Sequence, residues 1–60
     1  MQEYYLFNHA ALNSFQGQTL IFHANGNKHA IELGADYAHK LGWANYSICR
    51  FDGENEITIY

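Results

Sequence analysis

Four histidines, one cysteine, one arginine and five tyrosines are the side chains in this 60-residue chain best suited to chemistry. A structural zinc site takes four Cys or His ligands at short, recognisable spacings. Here His9, His23, His29 and His39 form no H-x-x-x-H pair, and a single cysteine allows no C-x-x-C. On a helix, His29 and His39 would sit about 80° apart around the axis. No metal is expected, and the histidines read as exposed polar residues. The best acid–base set is His23, Arg50 and a tyrosine, as in a small ribonuclease. Such a set needs a hydrogen-bonded partner and a pocket, which four strands and one helix rarely enclose. Cys49 has no evident histidine or helix N-terminus to activate it. Gly26-Asn27 lacks a Gly-x-Gly neighbourhood and reads as ordinary helix capping rather than an anion site. No catalytic residue and no cofactor is expected.

Charge narrows the partners. Glu3, Glu32, Asp36, Asp52, Glu54 and Glu56 outweigh Lys28, Lys40 and Arg50, giving a formal net charge of −3. Three scattered cations cannot line a phosphate backbone, so nucleic acid is not an expected ligand. No apolar run approaches the ~18 residues of a membrane span. Met1-Gln2-Glu3-Tyr4 has no basic stretch ahead of an apolar one, so no signal peptide is expected and the cytoplasm is the expected location. Asp52, Glu54 and Glu56 form a modest acidic end that would suit a basic protein surface.

The elements that must position these residues follow from periodicity. Residues 3–8 (EYYLFN) and 18–24 (QTLIFHA) read as strands, with Leu20, Phe22 and Ala24 on one face and Thr19, Ile21 and His23 on the other. Residues 9–17 read as a loop, with one helical turn at Ala10-Leu12. Asn25-Gly26-Asn27 introduces a helix, with Asn27 expected as N-cap and Asn25 as the alternative. Ala30, Ile31, Gly34, Tyr37, Ala38 and Leu41 share a stripe at 100° per residue. Gly34 in that stripe implies close packing on a sheet. Gly42 suits the left-handed residue that ends the helix, with Trp43 folding back on the last turn. Residues 46–51 (YSICRF) and 56–60 (EITIY) read as strands joined by a turn at Asp52-Gly53-Glu54-Asn55.

One domain over residues 1–60 follows, since 60 residues and 6.9 kDa allow no second. Its expected class is α+β, a ββαββ unit whose antiparallel sheet runs 2-1-3-4 with one helix on one face. The helix is the crossover between strands 2 and 3. Nothing in the pattern covers the other face, yet its expected members are Tyr5, Phe7, Ile21, Cys49, Phe51 and Tyr60. An antiparallel sheet exposed to water should be polar there, and an apolar patch of this kind marks a protein interface. The alternative is that the 9–17 loop covers it with Leu12 and Phe15.

The segment TLIFHANGNKHAIELGADYAHKLGWANYSICRF, Thr19 to Phe51, places an apolar strand ending in FHA before a polar cap, the AIELGADYA helix and an ICRF strand. In this it resembles the strand–strand–helix–strand unit of small phage-encoded inhibitors, such as the phage inhibitor of bacterial RNA polymerase and some anti-CRISPR proteins. The resemblance implies a non-enzymatic protein that binds and blocks a host protein. The protein-binding residues expected are Tyr5, Phe7, Ile21, Cys49, Phe51 and Tyr60 on the sheet, with Asp52, Glu54 and Glu56 on the hairpin. A domain of this size hides only about 60% of its unfolded surface, so self-association through the uncovered sheet face, most simply as a dimer, is also expected. The alternatives are a structural or regulatory homo-oligomer and, behind it, the His23 ribonuclease.

Overall fold

In a computed structural model, described for residues 1–9 and 18–60, the chain forms β1 (Gln2–Asn8), β2 (Gln18–Ala24), α1 (Asn27–Leu41), β3 (Tyr46–Asp52) and β4 (Asn55–Thr58). The four strands make one antiparallel sheet in the order β2-β1-β3-β4. This is the expected α+β ββαββ arrangement. Because β2 and β3 both run antiparallel to β1, they are parallel to each other, and α1 is the crossover that joins them. The expected helical turn at Ala10-Leu12, and the loop residues Leu12 and Phe15, lie outside the described residues.

Alternation along each strand sorts the side chains. Tyr4 and Leu6 of β1, Phe22 and Ala24 of β2 and Ile48 of β3 face the helix and are buried with Ala30 and Ala38. Tyr4 stacks on Phe22 at 5.8 Å between ring centroids, and Phe22 meets Tyr37 at 5.5 Å. A Cβ added at Gly34 would run into Ile48 Cδ1 and lie 3.1 Å from Ile48 Cγ1 and 3.5 Å from Phe22 Cζ. The glycine therefore lets α1 settle between the β2 and β3 side chains, directly over β1. The helix stripe differs from expectation at two positions. Leu41 is 50% exposed and Ile31 does not pack on the core cluster, whereas Leu33 does.

Each end of α1 has its own solution. At the C-terminus Gly42 takes the left-handed conformation (φ 75°), and the N–H of Trp43 reaches Ala38 O at 2.8 Å while that of Gly42 reaches His39 O at 3.2 Å. These are the paired bonds of a Schellman motif, and Trp43 packs back on the core as expected. At the N-terminus the expected Asn27 cap is corrected: Gly26 is the cap residue, with no side-chain cap bond. Asn27 Oδ1 is instead 3.0 Å from the Tyr4 hydroxyl, which also lies 2.8 Å from Gln2 Oε1. A buried tyrosine hydroxyl needs a partner, and this need draws the asparagine to the sheet. The N–H of Asn25 donates to His29 Nδ1 at 3.0 Å, so the histidine reaches back over the first turn.

The β3–β4 hairpin closes through Gly53-Glu54. Gly53 has φ 63° and Glu54 after it has a negative φ, the pattern of a type II′ turn. Past Thr58 the pairing changes. Ile59 N and Tyr60 N both donate to Ile48 O, at 2.9 and 3.3 Å. Two residues thus oppose one, as in a β-bulge.

Candidate protein-binding face

The face of the sheet opposite α1 is built from the odd-numbered positions of β1, β2 and β3. Cross-strand register sets Tyr5 between Ile21 and Cys49, and Phe7 between Thr19 and Ser47. Tyr5 meets Phe51 edge-on at 5.0 Å and lies near-parallel to Phe7 at 6.5 Å. These three rings form one continuous aromatic strip across β1 and β3. Ile21 is 53% exposed and Phe51 47%, while Tyr5 and Phe7 are half-buried. Three touching aromatic rings and a branched aliphatic, all partly exposed, are not what water selects on a sheet face.

Cys49 belongs to this face but is fully buried, with 1% exposure. Its thiol donates to Glu56 Oε1 at 3.4 Å. Burial, and then the neighbouring Glu56 carboxylate, push the Cys49 thiol up to about 11. A thiol held protonated in this way is a packing residue with a hydrogen bond, not a nucleophile. Cys49 thus supports the strip from below rather than presenting itself to a partner. The Tyr5 hydroxyl donates to Glu3 Oε1 at 2.8 Å, and that bond, followed by desolvation, raises the phenol above its ordinary range.

Tyr60 is corrected. The bulge at Ile59-Tyr60 breaks strict alternation, so Tyr60 stacks on Tyr46 at 5.4 Å, and Tyr46 packs against the core on the helix side. Burial first, and then Tyr60, hold the Tyr46 phenol above its ordinary range. The acidic end also divides. All three carboxylates are exposed, but Asp52 follows the parity of Ile48 to the helix side and Glu54 sits at the hairpin tip. Glu56 alone shares the open face, paired across the strands with Phe51. Glu3, a residue the sequence reading did not single out, lies on the same face opposite His23. Its place was readable from its spacing to Tyr5 and Phe7.

The acid–base set His23, Arg50 and a tyrosine is not brought together. His23 shares the open face with Ile21, whereas Arg50 shares the helix side with Ile48, and β1 stands between their strands. The Arg50 Nε is buried without a hydrogen-bond partner. His9 contacts Ser47 Oγ at the far end of the open face. Among the described residues no three His, Cys, Asp or Glu side chains are placed to hold a metal, and no helix is long and apolar enough to cross a membrane. A shallow depression at the end of α1, lined by Ala38, His39, Gly42, Trp43 and Ala44, lies apart from the aromatic strip. Comparison of the chain with protein-family models, with curated proteins and with solved structures gave no match.

Proposed function

We propose that the chain is a small non-enzymatic binding protein that inhibits a host protein, in the manner of phage-encoded counter-defence or takeover proteins, and acts inside the host cell. The observation that carries the reading is the open face: Tyr5, Phe7, Ile21 and Phe51 form an apolar strip on the side of the sheet that α1 does not cover. Aromatic anchors of this kind carry most of the energy of protein interfaces. Glu3 and Glu56 flank the strip, so the complementary surface is an apolar groove with basic residues at its rim.

The test is affinity capture from bacterial lysate in parallel with growth of cells expressing the protein. Phe7→Ser and Phe51→Ser should lose both the captured partner and any growth defect. A control on the outer face of α1, Glu32→Gln, should keep both. If the open-face variants capture the same partner as the parent, or if the control loses it equally, the assignment of this face is wrong.

A further inference from the structure

The two edges of the sheet are built differently. Main-chain groups of successive strand residues point to opposite edges. Ile48 N and O both bond to the Ile59-Tyr60 bulge, so Ser47 and Cys49 turn the other way, to Phe7 and Tyr5 of β1. Tyr4, Leu6 and Asn8 therefore bond to Phe22, Leu20 and Gln18 of β2. The bond from His9 N to Asn45 O, 2.8 Å, obeys the same parity. What is left on the outer edge of β2 are the N–H and C=O groups of Thr19, Ile21 and His23, and no described strand pairs with them.

Proteins protect such edges with charge, proline, shortness or bulges. β4 has three of these devices: four residues only, Glu56 within it, and the bulge after it. β2 has none of them. It is seven residues long, QTLIFHA, with no Asp, Glu, Lys or Arg, no proline and no interruption of its pairing with β1.

We propose that β2 pairs antiparallel with β2 of a second copy, joining the two sheets into one of eight strands. The occupant follows from the symmetry of the edge. A two-fold axis at Ile21 sets Ile21 against its own copy and Thr19 against the copy's His23, and every outward group then finds a partner, six hydrogen bonds in all. Shifting the register so that Thr19 faces the copy's Asn25 loses at least two of them, since the Asn25 N–H is already held by His29 Nδ1. The same axis sets Leu20 opposite the copy's Phe22 on the helix side, extending the core row. It places no two like charges opposite each other, which a chain of net charge −3 requires of a self-contact.

The helices fit as well. α1 lies over β1, and the two β1 strands would be three strand spacings apart, about 14 Å. That exceeds the 8–10 Å of direct helix packing, so the helices do not collide. Tyr37 leans to the β2 side against Phe22, and Leu33 lies one turn before it; both are half-buried. These residues and their copies would line the space between the helices. The axis is perpendicular to the sheet, so both open aromatic faces end on the same side, as one doubled surface. The dimer does not depend on what that surface binds.

The experiment reads amide hydrogen exchange by NMR and molecular mass by sedimentation across a concentration series up to about 1 mM. Leu20 and Phe22 amides, bonded to β1, should be protected throughout. Thr19, Ile21 and His23 amides should gain protection as the mass rises from one copy to two. Ile21→Pro removes an N–H that no described strand bonds, and Ile21→Lys sets two ammonium groups across the axis; each should weaken dimerisation at least tenfold. If Ile21→Pro does not fold, the lysine variant and the parent's exchange pattern decide. A monomer at all concentrations overturns the proposal. So does a dimer whose three outward amides stay unprotected, or one that Phe51→Ser dissociates while Ile21→Lys does not, since the open faces would then be paired.

Discussion

The two faces of this sheet are made of the same kinds of residue and meet different fates. On the helix side, Tyr4, Leu6 and Ile48 are completely buried, and each contact there is explained by folding. On the opposite side, Tyr5 and Phe7 from the same strand remain half-buried, and Ile21 and Phe51 stay about half exposed. Burial on the first face stabilises the chain at about 25 cal/mol per Å² of apolar surface. The second face gives up part of that gain. The difference separates what holds the domain together from what it presents, and it can be attacked from either side.

The largest effect is expected on the covered face. Ile48→Ala removes a fully buried side chain that touches the Gly34 backbone cleft. Such truncations cost about 2–5 kcal/mol, and 60 residues carry only about 3–9 kcal/mol in total. Chemical denaturation should find this variant marginal or unfolded. The matched change on the open face, Phe51→Ser, should cost about 1 kcal/mol or less, since half of that ring is already in water. Equal losses from the two variants would mean that the open face is part of the core.

Gly34→Leu comes next. Leucine is the better helix former by nearly 1 kcal/mol, but its first side-chain carbon already meets Ile48 Cδ1. Overpacking should win, with a net loss of about 1–3 kcal/mol by thermal or urea unfolding. A more stable variant would show that α1 can lift away from the sheet, and the contrast between the faces would weaken accordingly.

Cys49 gives the covered position on the open face a signature in pH. Its thiol ionises at about 11 in the fold and at about 8.5–9 in the unfolded chain. The folded value is raised, so the stabilisation is complete below about pH 9 and is lost as pH climbs to about 11. In that window the unfolded chain releases the proton and the folded chain holds it. The loss should be on the order of 2 kcal/mol. Tyr46, raised by burial and by Tyr60, adds a loss of the same sign that sets in above the ordinary phenol value of about 10. In Cys49→Ala the fall between pH 9 and 11 should flatten. A parent with no slope there would mean that the thiol is open to water.

What was legible in the sequence divides along physical lines. Strand order, helix span and the covered face follow from local patterns: the alternation in QTLIFHA, the 3.6-residue stripe through Ala30, Gly34 and Ala38, and glycines at Gly42 and Gly53 where φ is positive. The strip Tyr5, Phe7, Ile21 and Phe51 was legible for the same reason. The fate of Tyr60 was not, because EITIY alternates cleanly and the bulge is set by how Ile59 and Tyr60 share one carbonyl of Ile48. The helix start was misread because Asn27 answers to Tyr4, 23 residues away, rather than to its own first turn. Cys49 looked like a contact residue because alternation gives a side of the sheet and says nothing of how deep a small side chain sits among rings.

The smallest effect concerns charge, and it divides the acidic hairpin. Asp52, Glu54 and Glu56 are exposed, so removing each charge should change stability by no more than about 0.5 kcal/mol. Their contributions to partner binding should differ. Glu56 stands on the open face beside Phe51, Glu54 at the hairpin tip, and Asp52 on the other side of the sheet. If the aromatic strip is the contact surface, a basic rim on the partner feels Glu56 most strongly and Asp52 least. Glu56→Gln should slow association by a few-fold at low salt, and the difference from the parent should shrink as the Debye length falls from about 30 Å at 0.01 M to about 8 Å at 0.15 M. Asp52→Asn should leave association unchanged. Phe51→Ser, by contrast, should act on the dissociation rate and keep its effect at any salt. Stopped-flow or surface-binding kinetics with the captured partner separates these cases. Equal slowing by Asp52→Asn and Glu56→Gln would point to the hairpin tip, not the sheet face, as the part the partner meets first.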